Sequence, residues 1–424
     1  MTSFKDFLDN LATPIPQSKK GDKVSPKILE QLFPIRNLRE EIRQSFAEEH
    51  HSELIPAGTL LFSANSSADC AIYLLQGSVV ISDINGKSYE IDSGSSKAKF
   101  PICCGARHTT TAVAKTDLTI LRVSINIMST TNRFEHAALD ISASQLDNQA
   151  LMLFADHYQN HELIVPTLPE VALRLRKAIT KELGLEEVVK IITLDPVIAA
   201  KLIEVANCPL YVTQIPVRNC LDAVRRIGLN GTRSLVTALS LKQIFKSRSI
   251  LVKGHLERLW KQSLYLSALC HVLASTSKQY SPEDALLAGL ICDIGAVPFL
   301  SFVSDLPPEY IKDSEIDQAL PLVIGRIGST VLKEWQFASD FIDVAENSRN
   351  WYQNSTKELS LTDIVVLSRL HSLIGKKTAF DIPAITAIPA ASKLKNVELS
   401  PENSLSILHD AKAEIHEALT LFLA

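Results

Sequence analysis

The chain has 424 residues, of which 46% are hydrophobic and 21% charged, and its formal net charge is −4. This length suggests two or three domains, the composition is that of a globular protein, and the charge gives no reason to expect nucleic acid or anionic lipid as a partner. No apolar run reaches membrane-spanning length, so we expect no membrane. The polar start leads us to expect no signal peptide, and seven cysteines without a CxxC pair predict reduced thiols in a cytoplasmic protein.

The first third of the chain changes from helical to strand-like patterning. Residues 1–24 are polar and are predicted to be a flexible lead, and the helical stretch that follows is divided by Pro34, because proline cannot continue a helix. From Ser52 the chain contains short β-rich runs separated by turn residues, namely GTLLF, CAIYLL, SVVISDI, KSYEID and LTILRVS. Asn85-Gly86 is a strong hairpin signal. Residues 25–128 are therefore predicted to form an antiparallel β-roll or barrel.

The strings IPAGTLLFSANSSADCAIYLLQGSVVI and TTTAVAKTDLTILRVS resemble the first and last strands of a cyclic-nucleotide-binding β-roll. In that family a Gly-Glu pair holds the ribose hydroxyl, and an Arg further along holds the cyclic phosphate. The resemblance places Lys99 or Ala98 at the Glu position and His108 at the Arg position, with Arg107 beside it. Without the carboxylate the ribose hydroxyl would stay unpaired, at a cost of about 1–3 kcal/mol. Lys99, Arg107 and His108 are thus weak anion candidates, expected in a solvated loop, and no cofactor is expected.

The rest of the chain has helical periodicity. Residues 129–160 are predicted to be a helical connector, and residues 161–424 an all-α domain, which makes the whole chain a multidomain α+β protein. Side chains that accept orphan backbone N–H groups mark the expected helix starts. These starts are Thr167 with Glu170, Asp195, Asn219 with Asp222, Ser281 and Ser400.

Four strings in the first part of this helical region point to one family. VPTLPEVALRLRKAI, VVKIITLDPVIAAKLIEVANCPLY, IPVRNCLDAVRRIGLNGTRSLV and ALSLKQIF are very similar to the HDOD family, the HD-related output domain of bacterial signalling proteins. The resemblance covers roughly residues 160–375. Taken alone, the residues of these strings have structural roles, since Asp195, Asn207 and Gly228 stand where helix ends need them.

The stretch Ala285–Leu300 is almost entirely apolar but contains Asp293. Burying a carboxylate is costly unless it is paired. Asp293 therefore belongs either to a metal or phosphate site, or to an ion pair or helix cap within the core.

The string LLAGLICDIGAVPFL resembles the central signature of the HD phosphohydrolase superfamily, in which a His-Asp pair and further ligands hold a metal that activates water. By this resemblance the ligand positions fall on Gln262, Cys292-Asp293, Ile324, Glu346-Asn347 and, after Ser368, Arg369. Only Asp293 keeps its type, and one carboxylate plus a thiol is no divalent-metal site of known geometry. We therefore expect no metal and no catalysis, an ion-paired or capping Asp293, and core histidines at positions 271 and 371.

The leading hypothesis is a non-catalytic bacterial signalling scaffold. Its HDOD domain would bind signalling proteins such as cyclic-di-nucleotide enzymes or response regulators, and its degenerate β-roll would be the input domain. The alternatives are a nucleotide receptor acting through the roll, and a divergent HD-type phosphohydrolase that uses Asp293, Cys292 and histidines. Nucleic-acid binding ranks last, because its only support is the cluster of Arg225, Arg226 and Arg233, which is typical of a solvated face.

Overall fold

The computed structural model describes residues 19–38, 40–84, 87–125, 148–160, 163–180, 184–208, 211, 215–245, 249–307, 312–374 and 382–395. The chain divides into two compact units. The roll unit comprises residues 1–135, 350–359 and 373–404, and the helical unit comprises residues 136–349, 360–372 and 405–424. The predicted boundary placed everything after residue 160 in one helical domain, whereas the contacts group 350–359 and 382–395 with the roll. The exact domain boundaries stay a prediction.

The roll unit contains two antiparallel four-stranded sheets, which confirms the predicted fold class. The strands are β1 (Lys19–Lys23), β2 (His51–Ile55), β3 (Leu60–Phe62), β4 (Cys70–Gln76), β5 (Ser78–Ser82), β6 (Ser88–Asp92), β7 (Thr111–Ala114) and β8 (Leu118–Ser124). One sheet has the order β1-β2-β8-β4 and the other β3-β7-β5-β6. The expectation of a flexible lead is wrong for 19–23, because β1 pairs with β2. Residues 1–18 and the Asn85-Gly86 turn lie outside the described residues.

The roll is held together by a core between its two sheets. Apolar side chains on the inner faces of the strands bury together. The cluster contains Ile55, Phe62, Ile72, Leu74, Val79, Ile81, Ile91, Ala98, Ile102, Cys103, Ala112, Ala114, Leu118 and Ile120. Before the roll, Pro34 separates α1 (Pro26–Leu29) from α2 (Glu40–Glu49), as predicted.

The helical unit is built from the helices that follow the roll. They are α3 (Gln149–Asn160), α4 (Glu170–Thr180), α5 (Leu185–Ile192), α6 (Pro196–Ala206), α7 (Cys220–Ile227), α8 (Leu229–Leu241), α9 (Ile250–Ser277), α10 (Pro282–Ile291), α11 (Ala296–Ser304), α12 (Asp313–Glu334), α13 (Ser339–Asn347) and α14 (Leu361–Leu373). A last helix, α15 (Pro389–Lys393), belongs to the roll unit. Of the predicted connector, α3 packs within the helical unit, where Phe154 contacts Phe299 at 5.1 Å between ring centroids.

Most predicted helix starts are confirmed by their hydrogen bonds. Asp195 accepts from the backbone N–H groups of residues 197 and 198, Asn219 accepts from Asp222, and Ser281 accepts from Asp284. The start at Thr167 is wrong, because α4 begins at Glu170. Proline disfavours helical geometry in the residue before it, so the helix starts only after Pro169. The start at Ser400 and the helix after it lie outside the described residues.

Among the described residues, one stretch is long and apolar enough to cross a membrane by composition. It is Pro282–Ser304, with 23 residues, so the expectation that no run reaches this length is wrong. Within the protein, however, 89% of its apolar window is buried. Such burial is typical of a core helix, and the stretch indeed forms α10, a buried turn and α11 at the centre of the helical unit.

Candidate functional site

The turn between α10 and α11 carries Asp293 into the core of the helical unit. Asp293 is only 5% exposed, and its neighbours Cys292 and Ile294 are fully buried. The next residue, Gly295, lies against the backbone of α12. A Cβ atom at Gly295 would collide with backbone atoms of Ile324 and Gly328, so only glycine allows α12 to come this close. The apolar string with its glycine therefore fixes the position of one carboxylate.

Two arginines hold this carboxylate. Arg369, on α14, binds it with both ends of its guanidinium: Nη1 lies 3.1 Å from Oδ2 and Nη2 lies 3.0 Å from Oδ1. Arg349, just after α13, donates to the same Oδ1, with its Nη2 at 3.1 Å and its Nε at 3.2 Å. The two-pronged geometry is the one in which an arginine binds a carboxylate most strongly. The structure thus shows an ion pair, which is one of the two roles expected for Asp293, with Arg369 pointing inward.

The guanidinium of Arg369 also contacts neutral groups around the pair. Its Nη2 lies 3.1 Å from Sγ of Cys292 and 3.5 Å from Oγ of Ser348. Arg369 is only 9% exposed, whereas the side chain of Arg349 is 36% exposed. Arg369 is therefore an internal cation that joins the α10–α11 turn to α14, and Arg349 forms the outer side of the cluster.

The charges in the cluster determine which of its side chains are protonated. Burial by itself would raise the pKa of Asp293, but the charges and hydrogen bonds of Arg349 and Arg369 lower it to about 2. Burial raises the pKa of the Cys292 thiol, and the nearby Asp293 charge raises it further. At neutral pH the cluster therefore contains one carboxylate, two guanidiniums and a neutral thiol.

This arrangement does not fit a metal ion. Both oxygens of Asp293 accept hydrogen bonds from guanidinium groups, and a protonated thiol is a poor ligand. A dication about 4 Å from the Arg369 charge would be repelled by up to roughly 8 kcal/mol at an effective dielectric constant of about 20. In the part of the chain that the structure describes, no group of three or more His, Cys, Asp or Glu side chains could hold a metal ion.

Two of the predicted ligand positions do not lie at the site. Gln262 is exposed on α9, because the buried face of that helix carries Ser263, Ser267 and Cys270 instead. Glu346 is also exposed. A shift of one residue turns a helical side chain by about 100°, so small alignment errors move a residue to another face.

The remaining positions are buried or half-buried but provide no ligand set. Asn347 donates to Asp343 at 2.8 Å, and Ile324 meets Gly295. Ser368, next to Arg369, is buried, and its Oγ has no hydrogen-bond partner among the described residues. Burial lowers the pKa of His371 to about 4, and neither of its ring nitrogens has such a partner.

Sequence reasoning missed three residues of the cluster. Ser348 and Arg349 are the two residues directly after the predicted Glu346-Asn347 pair. Cys270 lies on α9, where burial raises the pKa of its thiol to about 12 and the charge of Arg369 acts to lower it. One signal could have helped. A buried carboxylate requires a cation, and Arg349 stands directly after the helix that lines the site, in the string AENSRN.

A second polar cluster in the helical unit explains part of the string DPVIAAKLIEVAN. Asn207, at the end of α6, accepts a hydrogen bond from the backbone N–H of Val217 at 2.7 Å and donates to its carbonyl at 2.8 Å. Arg226 adds bonds to the carbonyls of Ala206 and Ile215. Asn207 therefore ties the segment after α6 back to the helix end, which is a structural role.

The anion candidates of the roll do not form a structured ligand site. Lys99 and Arg107 are exposed, as expected of a loop. His108 contradicts the expectation of a solvated loop, because it is only 8% exposed and stacks on Phe62 with 4.1 Å between ring centroids. Burial lowers the pKa of His108. An imidazole that is buried against an aromatic ring and neutral is a packing residue rather than a phosphate ligand.

Parts of the chain are similar to known proteins. Residues 165–351 match the model of the HDOD domain family. A curated protein of Treponema pallidum, without a described function, is 27% identical over 157 residues, which are 36% of this chain but only 29% of that protein.

Two solved structures match different parts of the chain. A protein from Shewanella amazonensis SB2B, presumed to be a metal-dependent phosphohydrolase, is 27% identical, with 65% of this chain and 100% of that chain covered and a TM-score of 0.56. A cyclic nucleotide-binding-like protein from Brucella abortus is 22% identical and covers 25% of this chain and 95% of its own, with a TM-score of 0.20.

Proposed function

Since residues 165–351 are an HDOD domain, we propose that the protein is a non-catalytic bacterial signalling scaffold of the cytoplasm. Its HDOD domain binds signalling proteins, such as cyclic-di-nucleotide enzymes or response regulators, and its β-roll is the regulatory or input domain. No nucleic acid, membrane or cofactor takes part.

The observation that carries this proposal is the two-pronged bond of Arg369 to Asp293, at 3.0 and 3.1 Å. A hydrolase of the HD type needs a metal at this carboxylate to generate the attacking hydroxide. Here a guanidinium from the same chain neutralises the carboxylate, and the adjacent thiol is protonated. The Asp293 cluster therefore stabilises the fold. Partner binding is then a property of the surface of the helical unit.

The competing proposal is a divergent phosphohydrolase, which the name of the Shewanella protein favours. We expect the full chain to release no product from bis(p-nitrophenyl) phosphate or from cyclic dinucleotides with Mn²⁺ or Fe²⁺ present. Turnover that is lost in Asp293→Asn but kept in the exposed control Asp305→Asn would establish catalysis instead.

The scaffold itself is tested by binding. The full chain is used, because residues 350–359 and 382–395 group with the roll and a simple truncation would cut through that unit. Tagged protein captures candidates from the native bacterium, and each one is then purified and titrated by calorimetry. We expect a saturable complex with at least one signalling protein that survives Asp293→Asn. A protein that binds no candidate in purified form would overturn the scaffold proposal.

For the roll we expect no binding of cyclic AMP or cyclic GMP, because none of Lys99, Arg107 and His108 forms a phosphate or ribose site. A calorimetric dissociation constant of about 1 μM that is abolished by Arg107→Ala would instead make the roll a nucleotide receptor.

A further inference from the structure

A segment near the end of the chain packs on one face of the roll. This segment, residues 382–395, is named here the C-terminal strap, and it consists of an irregular start, a short 3₁₀ turn (Ile385–Ala387) and α15. The loop between β6 and β7, residues 93–110, is named the cassette. The strap is deeply buried: Ile388 is 1% exposed, and Ala387 and Ala390 are buried as well.

Three contacts fix the strap on the cassette and on β6. The hydroxyl of Thr109 donates to the backbone carbonyl of Thr386 at 2.5 Å. The hydroxyl of Tyr89 lies 3.2 Å from the hydroxyl of Thr386. At Gly105 the backbone of the cassette approaches α15 so closely that an added Cβ would lie 3.0 Å from Oγ of Ser392.

The strap is not part of the fold that it covers. It adds no strand to either sheet, and none of its residues belongs to the core cluster between the sheets. The cassette is anchored in that cluster by its own Ala98, Ile102 and Cys103. A segment that packs outside this core can detach at a lower free-energy cost than global unfolding.

We propose that the C-terminal strap is a releasable latch that closes the cassette face of the roll. The segment that covers this face is residues 382–395 of the same chain. It is held by one backbone carbonyl, by a pair of hydroxyl groups and by the space that Gly105 leaves for α15. This latch goes beyond the scaffold function. It makes the exposure of the cassette face of the roll depend on a segment that follows the HDOD domain in the chain. Release of the latch exposes Tyr89, Gly105 and Thr109.

The test is hydrogen–deuterium exchange of the full chain, read by mass spectrometry on peptides that cover residues 385–393, β5, β7 and α10. Gly105→Leu places a side chain against Pro389 and Ser392. The matched control is Gly94→Leu, since Gly94 is exposed and has no atom within 4 Å of an added Cβ. Thr109→Val is a milder second variant that keeps the shape and loses the bond to Thr386.

In the unaltered protein we expect residues 385–393 to be protected. Gly105→Leu should speed their exchange at least tenfold, and Thr109→Val severalfold, while β5, β7 and α10 exchange as before and Gly94→Leu changes nothing. Two results would overturn the latch: unchanged exchange of 385–393 in both cassette variants, or acceleration of β5 and β7 together with the strap. The second would make the strap an integral part of the roll fold.

Discussion

The Asp293 cluster and the cassette of the roll are both faces where a related protein would be expected to hold a ligand, and in both the chain itself supplies the occupant. At Asp293 the occupant is one buried side chain, Arg369, held by charge. At the cassette it is a segment of fourteen residues, 382–395, which is largely buried and is joined to the cassette and to β6 by hydrogen bonds of Thr386.

The two occupants differ in the free energy that their removal would cost. If Arg369 left, Asp293 would remain buried without its main partner, and an unpaired buried charge costs several kcal/mol. The hydrogen bonds that join Thr386 of the strap to Thr109 and Tyr89 link neutral groups, so breaking them leaves no unpaired charge at these residues. The comparison therefore assigns a stabilising role to the Asp293 cluster and a regulatory role to the strap. Hydrogen–deuterium exchange tests the second role, and the predictions below test the first.

The largest effect is expected from Asp293→Ala. This change leaves Arg369 buried without its carboxylate and should lower the free energy of unfolding by about 3–5 kcal/mol. The measurement is urea denaturation of the full chain, followed by circular dichroism at 222 nm. The control is Asp305→Ala, an exposed residue directly after α11, which should cost less than about 0.5 kcal/mol.

A double substitution sharpens this prediction. Asp293→Leu with Arg369→Met removes both buried charges and should recover most of the loss, because apolar pairs of similar size often replace buried ion pairs without penalty. If Asp293→Ala and Asp305→Ala unfold at the same urea concentration, the ion pair is not what holds the site together.

The next effect concerns pH and the buried His371 on α14. Its pKa is lowered to about 4 from 6.5 by burial, so the unfolded chain binds a proton between these values and the folded chain does not. Stability should therefore fall as the pH drops from about 6.5 to 4, by at most about 3 kcal/mol from this residue. Asp293 acts separately and at lower pH, since its stabilising charge is lost only as the pH falls from about 4 towards 2.

The substitution His371→Leu isolates the effect of His371 between pH 6.5 and 4. The variant should lose less stability than the unaltered protein between pH 6.5 and 4, and both should decline alike below pH 4. An identical pH profile in the upper window would mean that folding does not lower the pKa of His371.

A smaller effect is expected from Gly295→Ala, which keeps all charges and tests the geometry of the turn. The added methyl group meets the backbone of α12, and such overpacking typically costs about 1–3 kcal/mol. The control is Gly254→Ala in α9, where nothing lies within 4 Å, and there alanine should stabilise the helix by about 0.5–1 kcal/mol. Opposite signs for the two variants are the expected outcome, and equal signs would contradict the close approach of α12.

The smallest effect should come from Asn207→Ala. Asn207 is a neutral residue of the helical unit that ties the segment after α6 to the helix end. Loss of its bonds to Val217 should cost about 1 kcal/mol, because Asn207 itself is exposed to water. Asn230→Ala, exposed on α8, is the control and should be close to neutral. A cost as large as that of Asp293→Ala would show that charge is not what distinguishes the Asp293 site.

Much of this fold could be predicted from local patterns. Short β-rich runs such as CAIYLL and SVVISDI marked the strands, and Asp195, Asn219 and Ser281 marked helix starts, because these signals act over a few residues. For Asp293 the sequence left open a metal or phosphate site, an ion pair or a helix cap, and the structure shows an ion pair.

The rest depends on contacts between distant residues. The strap meets the cassette across more than 270 positions, as for Thr109 and Thr386, and no periodicity encodes such a pair. Gln262 was assigned to the site because the phase of a helix cannot be fixed from alignment alone, and Arg349 was missed because it lies outside the matched ligand positions.

The central claim, that a guanidinium of this chain stands where a metal would be needed, is tested most directly by elemental analysis of the purified full chain, expressed with Fe, Mn and Zn in the medium. The account predicts less than about 0.1 metal ion per chain and a melting temperature that a chelator does not change. About one equivalent of Fe, Mn or Zn, whose removal by the chelator lowers the melting temperature, would contradict it.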